Sequence, residues 1–270
     1  MRLLLSCVVA TLMCTESFTQ PTTSTQSATG GNDFSLFLKL TGHAFTSPLR
    51  WNGCDWLTAG GVVVGTGVGS LLDDEGFRLM ERNQTSFNTD LSDITSKYGS
   101  GITGIAVTGG FYCAGWAFDN VWLRETGVLM ASALSASVVT ESALKLIIGR
   151  ARPYTSLGTT TFKPFNGKAD FSSFPSGHAV VAFTLSTVLS ERIKNTWASI
   201  GLYSLATMVA ASRMYTRDHW FSDVLFAGTL STFVGRSVVH HYESGMTEND
   251  DATGLHIIPQ SNGVMVVWRF

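Results

Sequence analysis

Three short clusters of basic, histidine and acidic residues lie at the ends of apolar segments. The first reads KLIIGRARP, from Lys145 to Pro153. Lys145 and Arg152 are seven residues apart, about two helical turns, so the spacing predicts that both side chains leave one helix face. Pro153 is expected to end that helix. Two cations there can hold a multiply charged anion, although basic residues at a helix end often simply extend to solvent.

The second cluster reads FPSGHAVVAF, from Phe174 to Phe183. Ser176 is of a type that caps helices, so a helix is expected to begin near Gly177. The free N–H groups of a helix start attract anions, and a glycine lets an oxyanion approach the backbone closely. His178 would then lie beside the bound anion, where it can give or take a proton. Taken alone, the cluster could equally be a helix cap followed by a surface histidine.

The third cluster reads SRMYTRDHWFSD, from Ser212 to Asp223. His219 and Asp223 are four residues apart, which predicts a shared helix face. The carboxylate can accept a hydrogen bond from one ring nitrogen, fix the tautomer and leave the other nitrogen free to attack. Arg213 can clamp phosphate oxygens with two parallel N–H groups. The alternative is a His/Asp pair that only stabilises a helix.

Together and in order, the clusters resemble the signature of the type 2 phosphatidic-acid phosphatase superfamily, which is K-x6-R-P, then P-S-G-H, then S-R-x5-H-x3-D. The resemblance covers roughly residues 100–240 and leaves the first hundred residues and the tail outside the motifs. The matching positions are Lys145, Arg152, Pro153, Pro175, Ser176, Gly177, His178, Ser212, Arg213, His219 and Asp223.

The resemblance implies a role for each of these residues. His219 is expected to be the nucleophile, Asp223 its orienting partner, and His178 the acid that protonates the leaving group and then the base that activates water. It also implies that the chemistry needs no metal and no cofactor. The phosphate cradle would consist of Lys145, Arg152, Ser176, Gly177 and Arg213.

Two charged residues adjoin the signature without belonging to it. Arg150 lies two residues before Arg152, and Asp218 directly precedes the proposed nucleophile. Arg150 is expected to face solvent. Helical spacing turns Asp218 away from the face of His219, so it is expected to be a surface or capping residue.

The composition indicates what kind of scaffold carries these clusters. Of 270 residues, 44% are apolar and 14% charged, whereas a soluble domain has about 25% charged residues. The net charge of −2 provides no basic field for nucleic acid. The sequence therefore predicts either a membrane protein or an unusually buried helical bundle.

Six apolar stretches have lengths that favour helices over strands. We expect an all-α helical bundle of about six core helices, embedded in a membrane, although several stretches are shorter than the roughly 20 residues of a span. A short amphipathic helix within 34–53, a charged loop over 73–97 and a second loop over 153–175 complete the pattern. The stretches are 55–72, 101–117, 126–148, 178–190, 196–212 and 219–239.

The two ends of the chain differ from the bundle. Arg2 followed by an apolar run over 3–14 is typical of an export signal, cleaved or retained. Asn262-Gly263 between two apolar segments predicts a short C-terminal β-hairpin. The expected organisation is a signal over 1–20, a linker and N-terminal segment over 21–53, a phosphatase domain over 54–242 and a tail over 243–270.

The two cysteines beyond the signal, Cys54 and Cys113, show no zinc-type spacing. An exported chain could join them in a disulfide, and free packing thiols are the alternative.

Membrane topology is not fixed by the sequence. If the signal is cleaved and three apolar segments then span the membrane, Lys145 lies inside, whereas family members with six spans carry the pocket on the extracytoplasmic side. A non-spanning segment, a retained signal or a soluble exported bundle would each resolve this conflict. We expect the bacterial envelope, with the site facing the periplasm, and a soluble periplasmic protein as the alternative.

The function predicted from these patterns is hydrolysis of phosphate monoesters or diphosphates, those of lipids first, through a phosphohistidine. A vanadium-dependent haloperoxidase and a secreted acid phosphatase would use the same pocket, and a scaffold with a relic pocket is the non-enzymatic alternative. Phosphatidate, phosphatidylglycerol phosphate, undecaprenyl diphosphate, lipid A phosphate and soluble monoesters all fit the cradle. The expected partners are a lipid phosphate or diphosphate and the membrane, without nucleic acid, and the oligomeric state is left open.

Overall fold

The computed structural model describes residues 31–250, 254–260 and 263–269, so the predicted signal and residues 21–30 of the linker lie outside them. The described residues form nine α-helices and one antiparallel β-hairpin, which confirms the predicted all-α bundle. The hairpin pairs β1 (Gly254–Gln260) with β2 (Gly263–Arg269). The helices are α1 (Gly31–Thr46), α2 (Gly53–Gly69), α3 (Asp73–Arg82), α4 (Ser86–Tyr98), α5 (Gly101–Ala117), α6 (Val121–Ile148), α7 (Gly177–Ile193), α8 (Thr196–Tyr215) and α9 (Phe221–Asp250).

The charged segment 73–97, predicted as a loop, instead forms α3 and α4. Thr85 caps α4, because its hydroxyl accepts the backbone N–H of Asn88 at 3.2 Å. Small polar residues make the inner face of α4, where Ser92 is buried and donates to the Ser212 carbonyl of α8 at 3.4 Å. An apolar stripe was therefore not needed to bury this helix, and hydropathy alone did not reveal it.

The centre of the bundle is α7, which packs against α6, α8 and α9. Leu185 and Val188 of α7 are fully buried with Leu129 of α6 and Val238 of α9. Burial of this kind stabilises by roughly 1.5–3 kcal/mol for each large apolar side chain. The inner position of α7 holds its first turn, which carries the PSGH cluster, in a fixed place.

Helices α5 and α6 approach each other closely through glycine. A Cβ added at Gly115 would lie 2.3 Å from the Arg124 nitrogen, and one added at Gly127 would lie 2.7 Å from the Tyr112 nitrogen. Glycines that let helix backbones approach closely are typical of helices that pack in lipid. The pair therefore forms a tight antiparallel hairpin beside the core.

Apolar surface remains on the outside of the bundle. Helix α6 is the described helix that is long and apolar enough to cross a membrane, and half of its most apolar 18 residues are buried. On α2 and α5, both 17 residues long, large side chains such as Leu57 and Ile102 point outward. Cys54 and Cys113 are both free and exposed, so this structure contains no bridge between them.

Candidate active site

The three clusters meet at one end of the bundle, in the loop between α6 and α7 and in the turn between α8 and α9. The Tyr154 N–H donates to the Arg217 carbonyl at 3.0 Å, which joins the loop to the turn. The Ser176 N–H approaches the Asp223 carbonyl at 3.4 Å, which joins the start of α7 to α9. The predicted convergence of the motifs is therefore present in the fold.

Lys145 and Arg152 were predicted to share one helix face, and this prediction is wrong. Helix α6 ends at Ile148, and Gly149 follows with a left-handed φ of 59°, a conformation that glycine adopts without strain. Arg152 lies beyond this turn in extended backbone, with φ −76° and ψ 151°. The last turn of α6 thus carries Lys145, and the loop brings Arg152 to the site.

His219 is buried, and its Nδ1 lies 2.5 Å from the Ser173 carbonyl oxygen. The predicted bond to Asp223 is not made, since Nδ1 is 4.0 Å from Asp223 Oδ2. The reason is that α9 begins only at Phe221, so His219 precedes the helix and the four-residue spacing does not describe one helical face. A carbonyl can only accept, so Nδ1 carries the proton and Nε2 keeps its lone pair.

Asp223 instead orders the surroundings of His219. Its Oδ2 accepts the Ser173 hydroxyl at 2.5 Å and the Trp220 backbone N–H at 2.8 Å. Ser173 supplies the carbonyl that binds the His219 ring, and Trp220 follows His219 in the chain. The Asp223 carboxylate therefore acts on His219 indirectly, through Ser173 and Trp220.

Arg150 was predicted to face solvent, and this prediction is wrong. The residue is buried, with 4% of its surface exposed. Its guanidinium lies 2.6 Å from Asp223 Oδ1 and 2.6 Å from Asp73 Oδ2, and also donates to the Ser222 hydroxyl at 2.7 Å. Asp73, at the start of α3, also accepts the Ser222 N–H at 2.8 Å. Nothing in the sequence around Asp73 marks it for this site, because its partner Arg150 is 77 residues away.

Asp218, predicted as a surface or capping residue, lies between the two arginines of the cradle. Its Oδ1 pairs with Arg152 at 3.0 Å, and its Oδ2 pairs with Arg213. The Thr216 hydroxyl also donates to Oδ2 at 2.6 Å. The helical spacing used in the prediction does not apply, because residues 216–220 form a turn.

A second carboxylate outside the signature pairs with the third cation of the cradle. Glu141, buried on α6, lies 2.5 Å from Lys145. A Cβ added at Gly177 would lie 3.0 Å from Glu141 and 3.4 Å from Lys145. This places the Lys145 ammonium directly against the start of α7, as the cradle requires.

Three buried donors of the cradle have no hydrogen-bond partner. Ser176 occupies the N-cap position of α7, but its hydroxyl makes no cap bond, contrary to the prediction. Its Oγ, the Nε of Arg152 and the Nε of Arg213 are all buried without a partner. Buried polar groups are almost always bonded, and these three groups can donate to an anion with several acceptor oxygens.

Residues 126–244, which include every signature residue from Lys145 to Asp223, match the model of the PAP2 superfamily. This stretch is similar to the PAP2 superfamily. This agrees with the family predicted from the three motifs.

Known phosphatases are also similar to this chain. Lipid A 1-phosphatase from Rhizobium etli is 25% identical over 194 residues, which are 66% of this chain and 79% of that protein. Undecaprenyl-diphosphatase from Sulfolobus acidocaldarius is 27% identical over 58% of this chain and 72% of its own length. A transmembrane phosphatidylglycerolphosphate phosphatase of the PAP2 type from Bacillus subtilis shares the fold, with a TM-score of 0.54 and 18% identity over 79% of this chain and 96% of that one. The predicted phosphatase class is confirmed.

The electrostatics of the candidate site favour neutral imidazoles. Burial lowers the pKa of His219 well below its ordinary value of 6.5, and the charges of Arg152 and Lys145 lower it further. Burial and the charge of Arg213 lower the pKa of His178, in the first turn of α7, to about 4. Both effects disfavour the charged ring. Among the described residues, no group of three or more His, Cys, Asp or Glu side chains could hold a metal ion.

Proposed function

We propose that this chain removes phosphate from a lipid phosphomonoester or diphosphate by transferring it first to His219. The observation that carries the proposal is the buried ring of His219, whose bond to the Ser173 carbonyl leaves Nε2 unprotonated. Burial and the charges of nearby cations lower its pKa, which keeps the nucleophile neutral and reactive at physiological pH.

The first half-reaction joins Nε2 of His219 to phosphorus while the bond from phosphorus to the leaving oxygen breaks. His178 gives its proton to that oxygen. Its pKa of about 4 in the free site rises when a phosphate dianion arrives, because the added negative charge favours the protonated ring. Substrate binding thus loads the acid with the proton that the leaving group needs.

The second half-reaction returns the enzyme to its starting state. His178, now neutral, takes a proton from water, and the water oxygen attacks phosphorus as the bond to Nε2 breaks. Inorganic phosphate leaves the site. The cradle stabilises charge on the equatorial oxygens in both steps, which is the main task in phosphoryl transfer. Its members are Lys145, Arg152, Arg213, the Ser176 hydroxyl and the Gly177 N–H.

The outer surface supports a lipid substrate and a membrane location. Helix α6 has the length and composition of a span, and α2 and α5 expose large apolar side chains around it. The relatives act, by their names, on lipid A and on undecaprenyl diphosphate. We place the site at the extracytoplasmic face of a bacterial envelope, where a lipid headgroup can enter the loop end of the bundle.

The experiment is turnover by the full chain in detergent, with lipid A phosphate, undecaprenyl diphosphate and phosphatidate as separate substrates. His219→Ala should lose activity by at least about 10³-fold, because it removes the nucleophile. His178→Ala should accumulate an acid-labile phosphoenzyme, because it slows hydrolysis. His43→Ala, on α1, is the matched histidine control and should retain activity. Full activity of His219→Ala would refute the mechanism.

A further inference from the structure

Asp218 is held beside the nucleophile by the turn that carries both residues. The N–H groups of Asp218 and His219 both donate to the Arg213 carbonyl, at 3.1 and 3.2 Å. Arg217, just before, has a left-handed φ of 59°. The turn therefore fixes the backbone of Asp218 relative to that of His219.

The same carboxylate occupies the cradle arginines. One oxygen pairs with a terminal nitrogen of Arg152 and the other with a terminal nitrogen of Arg213. Each arginine keeps a buried Nε without a partner. Asp218 thus already takes part of the guanidinium surface that a phosphate would use, and it is accessible, with its side chain 20% exposed.

The charges of the site determine how Asp218 affects phosphate binding. Three cations, Lys145, Arg152 and Arg213, are paired with two carboxylates, Glu141 and Asp218. A phosphate dianion that reaches both arginines must come within a few ångströms of the Asp218 charge. In a half-buried site, like charges at such a distance repel strongly. A purely structural anchor for the arginines would have the opposite effect on phosphate affinity.

We propose that Asp218 is a resident counter-anion of the cradle, which holds Arg152 and Arg213 between turnovers and weakens the binding of product phosphate. The proposal rests on the proposed function, and it adds a residue outside the family signature that controls phosphate affinity. It predicts that a neutral side chain at this position binds phosphate more tightly than the native carboxylate does.

The test is calorimetric titration of inorganic phosphate into the full chain in detergent at pH about 8, where phosphate is a dianion. Asp218→Asn should lower the Kd about ten-fold, which corresponds to removal of one nearby like charge. Asp218→Glu keeps the charge and should bind phosphate nearly as the native chain does. Asp170→Asn is the matched control, because the carboxylate of Asp170 bonds to the Tyr154 hydroxyl, and its Kd should not change.

Each outcome decides the matter. An unchanged or higher Kd in Asp218→Asn would overturn the counter-anion and leave Asp218 as a structural anchor. A native chain that fails to bind phosphate would overturn this inference and the proposed function together. If the native chain binds phosphate and Asp218→Asn does not lower the Kd, this inference alone would be overturned. Melting temperatures monitor folding, and Asp218→Ser makes the same test if the asparagine variant does not fold.

Discussion

Arg150 lies 2.6 Å from Asp223 through Nη1, and this ion pair ties the loop after α6 to the first turn of α9. Both side chains are buried. The same guanidinium pairs with Asp73, so two buried carboxylates share one cation. The backbone around His219 is therefore fixed by a network of buried charges.

We expect Arg150→Met to destabilise the chain by about 3–5 kcal/mol, because it leaves two buried carboxylates without their cation. Urea unfolding in detergent measures the change. Arg78→Ala, which removes an exposed pair with Glu75, is the control and should cost less than about 1 kcal/mol. Adding Asp73→Asn to Arg150→Met should recover part of the loss. A cost for Arg150→Met no larger than that of the control would contradict the network.

Ser173→Ala should lower kcat about ten-fold with little change in KM. It removes the hydroxyl that binds Asp223 at 2.5 Å but keeps the carbonyl that holds the His219 ring, so the nucleophile loses order and the substrate site remains. Ser172→Ala is the matched variant, because its hydroxyl accepts from Arg152 at 3.1 Å, and it should raise KM instead. Steady-state kinetics separate the two effects, and a pure KM effect in Ser173→Ala would be inconsistent with this role.

His219 should be a neutral ring protonated at Nδ1 at about pH 6.5, where an ordinary histidine is half protonated. Burial and the neighbouring cations disfavour the charged ring and so place its pKa below 6.5. Nitrogen NMR of the histidine rings, assigned with His219→Asn, measures protonation and tautomer directly. A titration with a midpoint near 6.5, or a ring protonated at Nε2, would refute the assignment of the attacking nitrogen.

Gly149→Ala should destabilise the chain by more than about 1 kcal/mol and reduce activity, because the turn after α6 delivers Arg152. An added Cβ would lie 2.0 Å from the Lys163 carbonyl, in backbone with φ 59°. Gly158→Ala is the control for backbone strain alone, since Gly158 has φ 87° with nothing within 4 Å of the added atom. Urea unfolding of both variants should show the larger loss at Gly149. Equal losses would show that the contact with Lys163 contributes nothing.

The helical bundle and the residue types of the candidate site could be predicted from the sequence, because long apolar runs locate helices and motifs are found without knowing the structure. Ion pairs between residues far apart in the chain could not be predicted. Nothing near Arg150 indicates that Asp73 neutralises it, so an interior cation was predicted to face solvent. Asp218 and the His219–Asp223 spacing were interpreted as helical, but α9 begins only at Phe221. A shift of two residues in the start of a helix decides which atoms a histidine can reach. Hydrophobic periodicity does not locate a helix start that finely.

Asp73 has a consequence for how this enzyme can be divided. It lies outside residues 126–244, the stretch that carries every signature motif, yet it binds Arg150 and Ser222, which lie beside the His219 turn. The motif-bearing stretch is therefore not a transplantable unit. A chimera or minimal fragment that omits the junction of α2 and α3 would keep all the signature residues and lose the anchor that aligns them.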